Sequence, residues 1–186
     1  MSENKTFILN GTEVSAAAGE TIWQTADRLG IEIPHLCYRR AADYKGDGNC
    51  RACLVEIEGE RALAPSCIRE PEEGMVVTSN SERAKKTRAA VFELLLADQS
   101  EPEGEFKIWL DQMSITDSRF PKNRSVEADT SHTAIDVDLN KCIHCKLCVQ
   151  ACRDIQGNDV IGMAMRGSES AIVFDERPPV GAIVIA

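Results

Sequence analysis

The stretch CYRRAADYKGDGNCRACLVEIEGERALAPSC, Cys37 to Cys67, carries four cysteines spaced C-x12-C-x2-C-x13-C. The close pair, Cys50 and Cys53, lets one tight turn present two sulfurs to a single metal atom. Cys37 and Cys67 reach the same place only if the fold brings distant loops together. The flanking residues predict a sheet that does so. Lys5 to Leu9 and Thr12 to Val14 flank Asn10-Gly11, the dipeptide of a two-residue hairpin turn. Glu20 to Leu29 sets Ile22, Ala26 and Leu29 at helical spacing, with Gly30 at the expected stop. Pro34 breaks the chain before Cys37. Two short β-prone runs follow, Cys53 to Ile57 and Met75 to Thr78. Hairpin, helix, cysteine loop and returning strands predict a small β-grasp sheet with the loop on one edge.

The rest of the composition narrows the class. The chain has 186 residues, with 21 basic and 30 acidic side chains and a net charge of −9. That balance argues against a general nucleic-acid binder, which needs a basic face. No apolar run approaches the roughly 20 residues of a membrane helix, and Met1 to Thr6 lacks the apolar core of a secretory signal. The expectation is a cytoplasmic protein whose eight cysteines are reduced, and so are metal ligands or catalytic thiols before disulfides.

Four thiolates, two from one turn and two from distant loops, are the ligand set of a 2Fe–2S cluster. Cys37, Cys50, Cys53 and Cys67 are therefore its candidate ligands. The alternative at this quartet is a structural zinc site, although zinc modules usually pair two C-x2-C knuckles and one is present here. Gly46-Asp47-Gly48 imitates the start of a dinucleotide fingerprint but follows no strand and opens no helix. It reads better as a loop whose glycines let the backbone come close to a metal.

A second quartet, CIHCKLCVQAC from Cys142 to Cys152, has the spacing C-x2-C-x2-C-x3-C. Three thiolates at this interval wrap one face of a 4Fe–4S cube. In two-cluster ferredoxins the fourth cysteine of such a run ligates the other cluster, and no second run follows in this chain. Cys142, Cys145, Cys148 and Cys152 are the candidate 4Fe–4S ligands, and two possibilities stand for Cys152. It folds back onto the same cube, or it belongs to a second one.

Between the quartets, Ser79 with Glu82 resembles a capping box, and Ala84, Val91, Leu94 and Leu95 form an apolar helix face. From Asp98 to Thr133 the pattern dissolves into Pro, Gly, Ser and charged residues, with Trp109 and Phe120 as expected packing anchors. The overall expectation is an α+β chain in three parts: a β-grasp 2Fe–2S ferredoxin-type domain over 1–80, a helix and irregular connector over 81–131, and a partial bacterial-ferredoxin-like 4Fe–4S module over 132–186. His35 and His144 each lie within two residues of a candidate ligand and are expected beside the clusters or in solvent rather than on the metal, while His132 reads as a surface residue. Lys45, Arg51 and Arg69 either offset thiolate charge or simply face solvent.

The residues from Gly19 to Met75 resemble the N-terminal 2Fe–2S domain shared by the largest peripheral-arm subunit of respiratory complex I, iron-only hydrogenases and NAD-dependent formate dehydrogenases. CIHCKLCVQACRDIQGNDVIGMAMRGSESAIVFD, Cys142 to Asp175, looks most like the alpha subunit of soluble NAD-dependent formate dehydrogenase, with weaker agreement at Glu93 to Gln99 and Asp117 to Pro121. The resemblance implies an electron-transfer module with no catalytic site of its own. It would relay electrons between a molybdenum site and a flavin/NAD subunit, which are the implied partners. The small diaphorase subunit of an NAD-linked hydrogenase is the other electron-carrier reading, and a zinc-binding scaffold is the reading from a different class. Many relatives place a His and three Cys after the connector helix. Ser100 to Met113 has none of these, so the cluster they bind is expected to be missing. The tail Glu176 to Ala186 departs from the family where a second ferredoxin run should come, and reads as a truncated or frameshifted terminus.

Overall fold

A computed structural model describes residues 4–40, 44–99, 101–122, 126–133 and 135–174. The tail from Glu176 lies outside the described residues, so the expectation about it is not addressed. The chain divides into two compact units, one comprising Met1–Arg39 with Gly46–Phe92 and the other Arg40–Lys45 with Glu93–Ala186.

The first unit is built on a five-stranded sheet. Strands β1 (Lys5–Leu9) and β2 (Thr12–Ala16) form the expected hairpin around Asn10 and Gly11, both with positive φ (52° and 83°). Helix α1 (Ile22–Arg28) follows, then β3 (Leu54–Ile57), β4 (Ala64–Pro65) and β5 (Val76–Thr78). The order across the sheet is β2-β1-β5-β3-β4. β1 and β5 run parallel with Ile8 opposite Val76, while β3 is antiparallel to both its neighbours. Burying one face explains the alternation in β1, where Phe7 and Leu9 join Ile22, Trp23, Ala26, Val55, Ile57 and Val77 in the core. α1 starts on a true capping box: Thr21 Oγ1 accepts from Gln24 N, and Gln24 Oε1 accepts from Thr21 N. It stops at Gly30, whose N–H reaches Asp27 O at 3.0 Å.

Helix α2 (Glu82–Ala97) begins two residues later than the sequence suggested. Ser81, not Ser79, caps it, with Oγ accepting from Ala84 N at 3.1 Å. Ser79 is taken up elsewhere: its N–H donates to Asn10 Oδ1 at 2.8 Å and its Oγ accepts from Asn10 Nδ2 at 2.9 Å. The buried stripe of α2 also differs from expectation. Ala84, Arg88 and Phe92 are buried, while Leu94 is half exposed. Positions i, i+4 and i+8 share one face, and an arginine in the middle of that face hid it from an apolar count.

The second unit includes a helix where the sequence showed only irregular chain. α3 (Gly104–Gln112) buries Phe106 and Leu110, which are its anchors, while Trp109 and Phe120 are only partly covered. Next come the hairpin β6 (Asp129–His132) with β7 (Ile135–Val137), a 3-10 turn over Leu139–Lys141, and helix α4 (Leu147–Gln150). α4 widens into a π turn over Ala151–Ile155, and the hairpin β8 (Ile161–Ala164) with β9 (Ala171–Phe174) follows. The backbone of His132 lies in β6, and its side chain is outside what is described.

Candidate metal centres

Each cysteine of the first quartet is set by a different element. Trp23, 3% exposed, donates from Nε1 to Ile33 O at 3.0 Å and packs its ring, tilted, against His35 and Tyr38, with ring centroids 4.5 and 4.6 Å away. That clamp fixes the segment leading into Cys37. The opening N–H groups of α1, which have no partner within the helix, donate to the loop around Cys67: Ile22 N to Arg69 O at 2.9 Å and Trp23 N to Ser66 O at 3.0 Å. Cys53 enters β3, and its carbonyl accepts from the wholly buried Ser66 hydroxyl at 2.7 Å. Between Cys50 and Cys53, Arg51 turns the chain with φ 59°, a left-handed value that costs a non-glycine residue free energy and recurs at functional turns.

These constraints bring all four thiols together in the interior, each under a tenth exposed. Cys37 hydrogen-bonds with Cys50 and with Cys67, and Cys67 with Cys53. Hydrogen bonds from Cys50 and Cys67 hold the Cys37 thiol far below its ordinary range, and the Cys67 hydrogen bond lowers Cys53. The same contacts, with burial, push Cys50 and Cys67 up. Main-chain N–H groups also point at the sulfurs, as Ala52 N does to Cys50 Sγ at 3.5 Å. Four buried thiols brought together, with main-chain N–H groups donating to sulfur, suit a group that takes four thiolates at once.

Gly46 and Gly48 sit at a close approach, but to protein. A Cβ on Gly46 would overlap Cys67 O, and one on Gly48 would stand 2.8 Å from Ile68 Cδ1. The glycines fit the loop against the Cys67 turn. The three basic residues considered from sequence look outward. Arg69 pairs with Glu60 and Glu72 at 2.9 and 3.0 Å, and Lys45 and Arg51 are exposed.

In the second quartet, Cys142 follows the 3-10 turn, and Cys148 and Cys152 lie on α4 and its π turn. His144 and Lys146 both have left-handed φ, 53° and 61°. Such residues turn main-chain N–H groups to the inside of a loop, and His144 N donates to Cys142 Sγ at 3.4 Å. Burial pushes the Cys142 and Cys148 thiols up. Cys142 feels the charges of Cys145 and Cys148, while Cys148 feels that of Cys152. Cys152 is 7% exposed, and its Sγ accepts from Val160 N at 3.2 Å. Two residues that sequence reasoning passed over support these centres. Buried Gln99, at the end of α2, donates to Cys142 O at 3.1 Å. Ser66 holds Cys53 as described. Neither belongs to a cysteine motif, so no spacing rule could have marked it.

Among the described residues, no three His, Cys, Asp or Glu side chains form a group that could hold a single metal ion. No helix among them is long and apolar enough to cross a membrane.

Comparison with known proteins agrees with this geometry. Residues 2–82 match the 2Fe–2S iron–sulfur cluster binding domain, and residues 132–182 match the ferredoxin-like domain of NADH-quinone oxidoreductase subunit 3. The chain is 34% identical, over 88% of its length, to the mitochondrial NADH-ubiquinone oxidoreductase 78 kDa subunit of Candida albicans, and covers 24% of that protein. It is 32% identical, over 90% of its length, to the NADP-reducing hydrogenase subunit HndD of Solidesulfovibrio fructosivorans, and covers 31% of it. The chain thus spans about a quarter to a third of these relatives. A chain in the crystal structure of an NAD+-reducing NiFe-hydrogenase in the H2-reduced state superimposes with a TM-score of 0.81 and 28% identity, covering 91% of this chain and 74% of that one. Taken with the two thiol centres, these matches make the chain an α+β iron–sulfur module, a 2Fe–2S ferredoxin domain followed by a ferredoxin-like 4Fe–4S region, similar to iron–sulfur subunits of NADH-quinone oxidoreductases and hydrogenases.

Proposed function

We propose that the chain relays single electrons between two clusters inside a larger NAD-linked oxidoreductase. Cys37, Cys50, Cys53 and Cys67 would hold 2Fe–2S within a domain over 1–80. Cys142, Cys145 and Cys148 would hold 4Fe–4S within 132–186, with Cys152 as the candidate fourth ligand and 81–131 as the connector. The observation that carries this reading is the convergence of four buried thiols, with Cys37 hydrogen-bonded to Cys50 and Cys67, and Cys67 to Cys53. Each cluster, when bound, supplies a site that accepts and returns one electron without bond making.

The chain's own residues then have defined tasks. Trp23 and the start of α1 hold the Cys37 and Cys67 segments against each other. Main-chain N–H groups such as those of Ala52 and His144 donate to ligand sulfurs, which sets how readily negative charge is accepted there. Burial keeps water from the first centre.

The partners we propose are a flavin/NAD-binding subunit and a molybdenum-containing formate site, as the Cys142–Asp175 resemblance implies. An NAD-linked hydrogenase is the second reading, favoured by the match of 91% of this chain to 74% of a hydrogenase chain.

Iron, zinc and acid-labile sulfide counted after anaerobic purification test the core of the proposal. About six irons and six sulfides per chain are expected, and zinc in place of iron would overturn it. Adding formate or hydrogen to the complex isolated with its native partners, and watching which one reduces the clusters, separates the two partner readings.

A further inference from the structure

Arg88 lies on the buried stripe of α2 at 6% exposure, and among the described residues it is the one charged side chain buried that far. Its Nη2 donates to Ser79 O at 2.7 Å, and no carboxylate among the described residues pairs with it. A guanidinium cannot shed its charge in a protein, and a buried charge is costly unless an opposite charge answers it. Geometry places the Arg88 charge beside the first centre: β5 pairs with β3 through Thr78 opposite Glu56, so Ser79, whose carbonyl Arg88 holds, follows on level with Val55, two residues from Cys53 at the head of β3. Burial disfavours the cation and the charge of Cys53 favours it. Ser79 is itself fixed at 2.8 and 2.9 Å by Asn10, so the guanidinium is oriented by the hairpin rather than left to wander.

We infer that Arg88 is the built-in countercharge of the first cluster, a fixed cation that stabilises the extra negative charge of the reduced form and so raises its reduction potential. The inference rests on the 2Fe–2S reading of the four buried cysteines. Two ferric irons, two sulfides and four thiolates carry a net double negative charge. One electron from an external one-electron reductant makes it triple, with no bond broken and no proton taken up. The oxidised cluster already answers the guanidinium, and the reduced one answers it better. That difference is what moves a potential. Arg69, whose charge is spent on Glu60 and Glu72 at the surface, has no such role.

The test is a redox titration of the anaerobically purified full chain, poised with dithionite and mediators and followed by the electron-spin signal of the reduced 2Fe–2S centre. In Arg88→Gln, which keeps a donor for Ser79 O but loses the charge, the reduction equilibrium should shift at least tenfold toward the oxidised form, equivalent to about 59 mV for one electron. Arg88→Lys should stay within threefold of the parent. A loaded Arg88→Gln chain with an unchanged potential would overturn the inference, as expected if Arg88 only braces Ser79. If Arg88→Gln does not load iron, Arg88→Lys decides. Restored loading with a near-parental potential supports the countercharge, and a failure of the lysine variant to load sinks it. Failure of the underlying 2Fe–2S reading looks different, because the parent chain itself would then give no such signal.

Discussion

A Cβ atom on Gly46 would overlap the main-chain carbonyl oxygen of Cys67, because the loop leading to Cys50 lies against the turn that carries Cys67. Two ligand-bearing segments about twenty residues apart are thereby held at backbone contact. Neither side can yield: the obstacle is a carbonyl, and the turn behind it is pinned to the first N–H groups of α1. Gly46→Ala should therefore force the two segments apart and prevent the first cluster from assembling. Iron should fall from about six to about four per chain, with the 4Fe–4S spectrum retained.

The Asn10–Ser79 pair ties the hairpin turn to the entry of α2 through hydrogen bonds of 2.8, 2.9 and 3.2 Å. Asn10 also tolerates its φ of 52° better than most residues. Asn10→Ala loses both advantages and should cost about 1–3 kcal/mol in denaturant unfolding. Asn10→Gly keeps the turn but loses the bonds, so it should cost less. Equal losses in the two variants would show that the hydrogen bonds alone matter.

Glu20 and Arg28 form a surface pair at 2.9 Å, with side chains 13% and 50% exposed. The hydrogen bond from Arg28 holds the Glu20 carboxyl below its ordinary range. A carboxylate whose folded-state affinity for protons is depressed stabilises the fold above its unfolded pKa and loses that contribution as pH falls through the folded value. The stability difference between the parent and Glu20→Gln should be about 0.5–1 kcal/mol at pH 7. It should hold steady down to about pH 5 and shrink below about pH 4. Unfolding of the metal-free chain across that range is the measurement.

Cys145→Ser should abolish the 4Fe–4S signal while the 2Fe–2S signal persists, leaving about two irons per chain. The second quartet rests on its own supports, the Gln99 bond to Cys142 O at 3.1 Å and the left-handed turns at His144 and Lys146. Simultaneous loss of both signals would contradict independent centres.

Local chemistry explains which elements could be read in advance. Asn10-Gly11 names its turn because few other dipeptides accept two positive φ values in succession. Gly30 marks the stop of α1 for a similar reason, and the cysteine spacings announce two thiolate centres because metal geometry restricts them. The cap of α2 was misplaced by two residues because Ser79 and Ser81 are chemically equivalent N-caps. Only the presence of Asn10 across the sheet decides which serine is free for the helix. α3 was missed because Gly104 and the charged residues around Phe106 and Leu110 dilute its apolar stripe.

By itself, then, the sequence determined the hairpin, α1, the α+β class and the two cysteine motifs, each of which rests on local residue chemistry and spacing. Tertiary structure alone decided that Arg88 is buried against the Ser79 carbonyl, that Gly46 must be glycine, and that Gln99 and Ser66 hold the carbonyls of Cys142 and Cys53. Those facts depend on groups brought together from distant positions, and no local rule carries the cost of a buried charge or a blocked carbonyl until the partners are in place.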